Sequence, residues 1–215
     1  MFGSVANANT IDWTTPSNST WATGSNWVGG VAPANDLTTD IARFKLTNYA
    51  SPAANPTTGT TSVNGVVIGD GTASTGTLTI GAAGSQLTLG GSGILMNTLY
   101  GRNNDLGARR RSGTNQSWTN NSANLLTISG SPTRGGFNWT IGGSGNTTIS
   151  SAILGTGAMT FSGAGTKTIQ STIDTTGGIT INDAGNVTMT GSVSGTGADY
   201  NEWFREFYDW KHRNH

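Results

Sequence analysis

Between residues 125 and 189 the chain reads Leu125-Leu126-Thr127-Ile128, Trp139-Thr140-Ile141, Met159-Thr160-Phe161, Ile179-Thr180-Ile181 and Val187-Thr188-Met189, with glycine-rich turns in between. This alternation has a period of two, so it places apolar side chains on one face of a β-strand and threonine on the other. Strands this short, turned this often, exclude amphipathic helices and are typical of a β-solenoid in which each coil stacks on the previous one.

The same pattern of short strands and glycine-rich turns begins earlier in the chain. Glycine-rich runs at 69–71, 81–84 and 90–93 separate short apolar segments, and glycine supplies the positive φ that tight corners need. The segments are Val66-Val67-Ile68, Leu78-Thr79-Ile80, Leu87-Thr88-Leu89 and Ile94-Leu95-Met96. We therefore predict an all-β, right-handed single-strand parallel β-helix whose coils occupy residues 61–198.

Composition limits the classes of function. The chain has 215 residues with 33 glycines, 10% charged residues and a formal net charge of zero, which gives no electrostatic footprint for nucleic acid. No segment approaches the roughly 20 apolar residues that span a bilayer. Cysteine is absent, which excludes disulfides and thiolate metal sites and fits an exported chain.

The N-terminal part differs from the coils. Residues 1–8 end in Val5-Ala6-Asn7-Ala8, a small-x-small pattern that we interpret as a signal-peptide remnant. Residues 9–60 contain Trp13, Trp21 and Trp27, which we expect to cap the open end of the solenoid core. A sugar-stacking platform built on these three indoles is the alternative.

Two segments, 98–112 and 199–215, lack this pattern of short strands and glycine-rich turns. They contain both glutamates, both histidines and the run Arg109-Arg110-Arg111. We interpret 98–112 as an irregular insertion and 199–215 as an aberrant C-terminal tail, which reads as a short amphipathic helix. A second hypothesis is that both segments are translated out of frame, because a shift of one nucleotide permits solenoid-like sequence in each and replaces the arginine run by valines.

The chain resembles bacterial autotransporter-associated β-strand repeat proteins. The residues that carry the likeness are Trp21, Asn26-Trp27-Val28-Gly29-Gly30, Pro33, Asp36, Ala42-Arg43-Phe44, Gln116-Ser117-Trp118-Thr119-Asn120-Asn121, Leu126-Thr127-Ile128-Ser129-Gly130, Gly155-Thr156-Gly157-Ala158-Met159 and Gly163-Ala164-Gly165-Thr166. The resemblance covers nearly the whole chain except the two aberrant segments, and by comparison with the family pattern this chain looks like an N-terminal fragment. It implies a β-helical passenger region with no assigned catalytic residues, secreted or displayed on the bacterial cell surface after export through the periplasm.

We expect no catalytic, cofactor-binding or metal-binding residues and no cofactor. Lys167 is expected at an exposed corner, and Arg134-Gly135-Gly136-Phe137 in a loop between coils. The enzyme alternative is a polysaccharide lyase or glycosidase, for which Asp174 and Asp183 are the candidate carboxylates, although both occupy turn-like sequence.

The expected function is therefore a non-enzymatic, adhesin-like structural scaffold. Its expected partner is a surface polysaccharide, or the surface of a host or neighbouring cell, with no nucleic acid and no membrane span in this chain. Exposed strand edges at the end of a solenoid also predict edge-to-edge self-association. A carbohydrate-active β-helix and a carbohydrate-binding module are the alternatives.

Overall fold

The computed structural model describes residues 8–50, 56–81, 84–98, 104–183 and 185–194. In this part of the chain nearly all regular structure is parallel β-strand, arranged as a β-solenoid of about six turns. One 3₁₀ turn, Gly24–Asn26, interrupts the strands. The predicted all-β parallel β-helix is thus confirmed. The predicted C-terminal tail and residues 1–7 of the signal-peptide remnant lie outside the described residues.

Two large sheets form two faces of the solenoid. The path of the eleven-stranded sheet runs through β1 (Asn9–Asp12), β3 (Asp40–Phe44), β5 (Thr60–Ile68), β7 (Gln86–Met96), β10 (Gln116–Asn120), β13 (Trp139–Gly142), β16 (Met159–Gly163) and β19 (Ile179–Asp183). The six-stranded sheet contains β6 (Leu78–Ile80), β8 (Asn104–Leu106), β11 (Leu126–Ile128), β14 (Thr147–Ile149), β17 (Lys167–Ile169) and β20 (Val187–Met189).

Short strands form a third face. They are β9 (Arg109–Ser112), β12 (Pro132–Gly135), β15 (Leu154–Gly155), β18 (Ile173–Asp174) and β21 (Val193–Ser194). The first three branch from the eleven-stranded sheet at β7 and complete its count, whereas β18 and β21 pair with each other. A parallel bridge between Ile153 and Ile173 links its two halves. The pair β2 (Ser19–Thr20) and β4 (Pro56–Thr57) lies near the N-terminal end. Each later coil therefore contributes one strand to each of three faces.

Successive strands pair in register, so equivalent residues stack along the solenoid. In the eleven-stranded sheet Trp139 pairs with Met159 and Met159 with Ile179, a step of 20 residues each time. In the six-stranded sheet Thr147 pairs with Lys167 and Lys167 with Val187. A one-residue slip would turn every apolar side chain outward, which is why the period-two pattern fixes the register.

The core consists of rows of apolar side chains that run along the solenoid axis. Each strand of a sheet contributes one side chain to a row. One row runs along the six-stranded sheet, and its members are at most 1% exposed: Ile80, Leu106, Ile128, Ile149 and Ile169. A second row, on the eleven-stranded sheet, includes Ala42, Val66, Ile94, Trp118, Ile141 and Phe161. These rows join into one continuous cluster. Burial of apolar area at about 25 cal/mol per Å² is the main force that stacks the coils.

Three boundaries differ from the sequence prediction. β1 pairs with β3 and β3 pairs with β5, so the first coil begins at Asn9 and not at Thr61. β7 is one continuous strand through the predicted corner at 90–93, and its pairing with β5 absorbs a register shift. Residues 104–112 are not an irregular insertion, because β8 and β9 pair with their neighbours on both sides.

Candidate functional surface

Trp13, Trp21 and Trp27 lie at the N-terminal end of the core and are each at most 2% exposed. Trp13 and Trp21 each pack edge-on against Trp27, with ring centroids 4.9 Å apart in both pairs. All three rings also pack against Phe44. The indole N–H of Trp27 donates to the carbonyl of Trp21 at 2.7 Å.

The backbone around these tryptophans covers the outer edge of β1. Val28 N–H donates to Asp12 O at 2.9 Å, and Thr14 N–H donates to Asn26 O at 2.8 Å. Asn26 is itself buried, and its side-chain amide N–H groups donate to Ser19 Oγ and to Thr20 O. The indole faces are therefore occupied by other rings, and this packing leaves no open face on which a pyranose could stack.

A group of charged side chains crosses the first coils on the outer surface. Arg43 Nε donates to Asp12 Oδ1 at 2.6 Å, and Lys45 Nζ lies 3.1 Å from Asp12 Oδ2 and 3.8 Å from Asp70 Oδ2. Partial burial alone would raise the pKa of Asp12, but the hydrogen bonds from Arg43 and Lys45 outweigh it and lower that pKa. Sequence reasoning missed this group because its members come together only through the pairing of β1 with β3.

Three basic side chains point into the solenoid, contrary to prediction. Lys167 is fully buried, not exposed at a corner, and its Nζ donates to Gly165 O at 2.6 Å. Arg134 lies in β12, not in a loop, and its guanidinium donates to Gly155 O at 2.6 Å and to Asp174 O at 2.7 Å. Strand alternation puts each of these positions on the inner face, and the long stems reach carbonyls of neighbouring turns.

Arg110 is the third inward cation. Arg109 and Arg111 are exposed, whereas Arg110 is fully buried and donates to Ala108 O at 2.7 Å and Ile80 O at 3.0 Å. Burial lowers the pKa of Arg110 to about 9, against the opposing attraction of the Asp105 carboxylate. The inward-facing arginine is therefore held by carbonyl dipoles.

The two candidate aspartates for glycan cleavage belong to strands of different faces. Asp174 is exposed at the end of β18, whereas Asp183 ends β19 in the eleven-stranded sheet. Asp36, another acidic residue, stabilises the turn in which it lies, because its carboxylate accepts hydrogen bonds from the N–H groups of Thr38 and Thr39 at 2.8 and 2.7 Å. The hydrogen bonds from Thr38 and Thr39 lower the pKa of Asp36 to about 2. Among the described residues, no group of three or more acidic, histidine or cysteine side chains could hold a metal ion.

The outer face of the six-stranded sheet presents threonine in register. Thr127 pairs with Thr148, Thr148 with Thr168, and Thr168 with Thr188. We call these four residues the threonine ladder. A shorter row of Thr140, Thr160 and Thr180 lies on the eleven-stranded sheet. Polar uncharged rows of this kind are the most regular feature of the outer surface.

Comparison with protein-family profiles, with curated proteins and with solved structures finds no match for this chain. In the part of the chain that the structure describes, no helix is both long enough and apolar enough to cross a membrane.

Proposed function

We propose that the chain is a non-enzymatic, surface-displayed β-helical passenger region that acts as an adhesin-like scaffold. The observation that carries this proposal is the repeated coil, whose inner positions are apolar and whose outer strand positions are mostly threonine, serine and asparagine. Such a coil adds length without a thicker core, because each coil is stabilised chiefly by its two neighbours. Export through the periplasm to the bacterial surface, and a polysaccharide or cell-surface partner, belong to the same proposal.

Side-chain amides support a stiff scaffold by joining adjacent coils. Asn115 Oδ1 accepts from the N–H of Asn138, and Asn138 Oδ1 accepts from the N–H of Ala158, each at 2.9 Å. On the six-stranded side Asn146 Oδ1 accepts from the N–H of Thr166, also at 2.9 Å. These hydrogen bonds cross the turns, where the backbone ladder of the sheets is interrupted. A polypeptide held in this way projects as a rod and keeps its outer face at a fixed distance from its attachment point.

The test places the full chain between a signal peptide and an autotransporter translocating barrel in a Gram-negative host. We expect the chain on intact cells to be labelled by antibody and to resist added protease, because its backbone is hydrogen-bonded from coil to coil. The matched control is Ile141→Asp, which buries a carboxylate in the core and leaves the export signals unchanged. We expect this control to be cleaved rapidly.

Adhesion and turnover are measured with the same cells. We expect cells that display the chain to adhere to each other or to polysaccharide-coated surfaces more than cells with the barrel alone. A wild-type chain as protease-sensitive as Ile141→Asp, or retained inside the cell, would contradict the display proposal. Release of reducing sugars or unsaturated products from a panel of polysaccharides would contradict the non-enzymatic part, and its loss in Asp174→Asn would point to a carbohydrate-active β-helix.

A further inference from the structure

The threonine ladder lies in the middle of a wider polar array on the outer face of the six-stranded sheet. The residues just before each strand and just after it flank the ladder on its two sides. They are Asn146, Thr166 and Asn186 on one side, where the position before β11 is the apolar Leu125, and Ser129, Ser150, Gln170 and Thr190 on the other. None of these side chains is charged or aromatic.

The ladder residues are rigidly positioned. Neighbouring strands in a sheet lie about 4.7–4.9 Å apart, so the register fixes the repeat of the threonines along the solenoid. A β-branched side chain has a restricted χ1, which limits the orientations of each methyl and hydroxyl. In β11, β14 and β17 the inward residues on either side of the ladder threonine are buried, for example Leu126 and Ile128 beside Thr127.

The hydroxyl groups of the ladder are available to a ligand. Within the part of the chain that the structure describes, no hydrogen bond joins the hydroxyl of Thr127, Thr148, Thr168 or Thr188 to another residue. By contrast, threonine hydroxyls at the turns do bond to the protein, as when Thr176 donates to Thr156 O at 3.2 Å. Each ladder position thus offers one free donor, free acceptor lone pairs and an apolar methyl group.

A ligand that uses the whole array must have the same repeat. From β11 to β20 the ladder and its flanks contain no aromatic ring on which a sugar could stack and no charged side chain, and the row reaches a charge only at Asp105 of β8, next to Thr127. The strand separation is close to the repeat of water oxygens along one axis of hexagonal ice. The hydroxyl groups can hydrogen-bond to water molecules, and the methyl groups can order the water around them. From this geometry we propose that the outer face of the six-stranded sheet, from β11 to β20, binds the surface lattice of ice.

Binding of this kind is multivalent. Each hydroxyl contributes a weak contact, but the array is already ordered, so adsorption to a crystal costs little further conformational entropy. The proposal is independent of surface display, because a purified chain with the same face would act on ice in solution.

The test measures ice growth in the presence of the purified full chain, by thermal hysteresis and by the shape of single ice crystals. We expect the wild-type chain to halt growth over a measurable temperature gap and to facet the crystals. Thr148→Tyr and Thr168→Tyr each place a bulky ring in the middle of the ladder, and we expect loss of both effects. Tyrosine is well tolerated on outward strand positions, so the fold should be retained.

Ser117→Tyr is the matched control, because Ser117 is exposed at an outward position of β10 on the other sheet. We expect it to keep the ice activity, and circular dichroism and thermal unfolding should be the same for all four proteins. No effect of the wild-type chain on ice would overturn the proposal, as would full activity in both ladder variants. Retention on crystalline cellulose or chitin without ice activity, lost in Thr148→Tyr, would overturn it in favour of a polysaccharide.

Discussion

Arg110 is a charged residue at an inward-facing position. The inward-facing residues nearest to it in the chain are the uncharged Leu106, Ala108 and Ser112. The guanidinium gains two carbonyl partners, but its Nε is buried without a hydrogen-bond partner. Desolvation of a cation costs several kcal/mol, and carbonyl dipoles return only part of that. The hypothesis that residues 98–112 are translated out of frame, with valine at position 110, stays a hypothesis that resequencing of the coding DNA would test.

We predict that Arg110→Met stabilises the protein by about 1–4 kcal/mol, because an apolar side chain of similar length removes the buried charge. Ile80 O keeps the N–H groups of Gly107 and Ala108 as donors, so little is left unpaired. Arg111→Met is the control, since Arg111 is exposed, and should change stability by less than about 0.5 kcal/mol. Chemical denaturation measures both variants. Destabilisation by Arg110→Met beyond its control would show that the carbonyl contacts outweigh desolvation.

At the scale of the element, the turns decide whether one coil can lie on the next. Gly143 follows β13 with φ of +103°, and a Cβ at this position would collide with the carbonyl of Asn120 on the preceding coil. Gly91, inside β7, has ordinary φ, and the nearest atom to a Cβ there is Thr114 Cγ2 at 3.8 Å. The two glycines therefore differ in both backbone conformation and space.

We predict that Gly143→Ala lowers the free energy of unfolding by at least about 1–3 kcal/mol from the backbone conformation alone, with the collision adding to this. Gly91→Ala should be near neutral, because alanine fits its conformation and space. Thermal unfolding followed by circular dichroism compares the two. Equal melting temperatures for the two variants would contradict this prediction. They would mean that the turn after β13 can move away from Asn120 without loss of stability.

At the scale of the whole molecule, the coils from β13 onwards are interchangeable in register. Trp139, Met159 and Ile179 are equivalent positions, as are Thr147, Lys167 and Val187. Removal of 20 residues, Met159 to Gly178, would bring Ile179 directly against Trp139. Because stability in a solenoid is close to a sum over neighbouring coils, such a chain should lose one coil and keep the others.

We predict that deletion of residues 159–178 gives a folded protein that unfolds cooperatively at a lower temperature than the full chain. The control deletes residues 159–168, which puts the turn after β17 where a strand should pair with β13. We expect this half-coil deletion to lose the β-sheet signal or to aggregate, because turn residues would lie where strand residues must pair and the strands of successive coils would no longer align. A half-coil deletion as well folded as the full-coil deletion would contradict an in-register solenoid.

The amino-acid sequence by itself determined the parallel β-solenoid class and the strands whose apolar residues alternate with threonine, together with their inner and outer faces. Segments such as Leu126-Thr127-Ile128 carry these properties locally, through a period of two and the glycines that follow. Only the tertiary structure decided which side chains meet. The pairing of Asp12 with Arg43, the burial of Arg110, Arg134 and Lys167, the enclosed indoles at the N-terminal end and the threonine ladder all depend on it. The physical reason is that strand register, and not local pattern, brings together residues of different coils, as with Asp12 and Arg43, which are 31 positions apart.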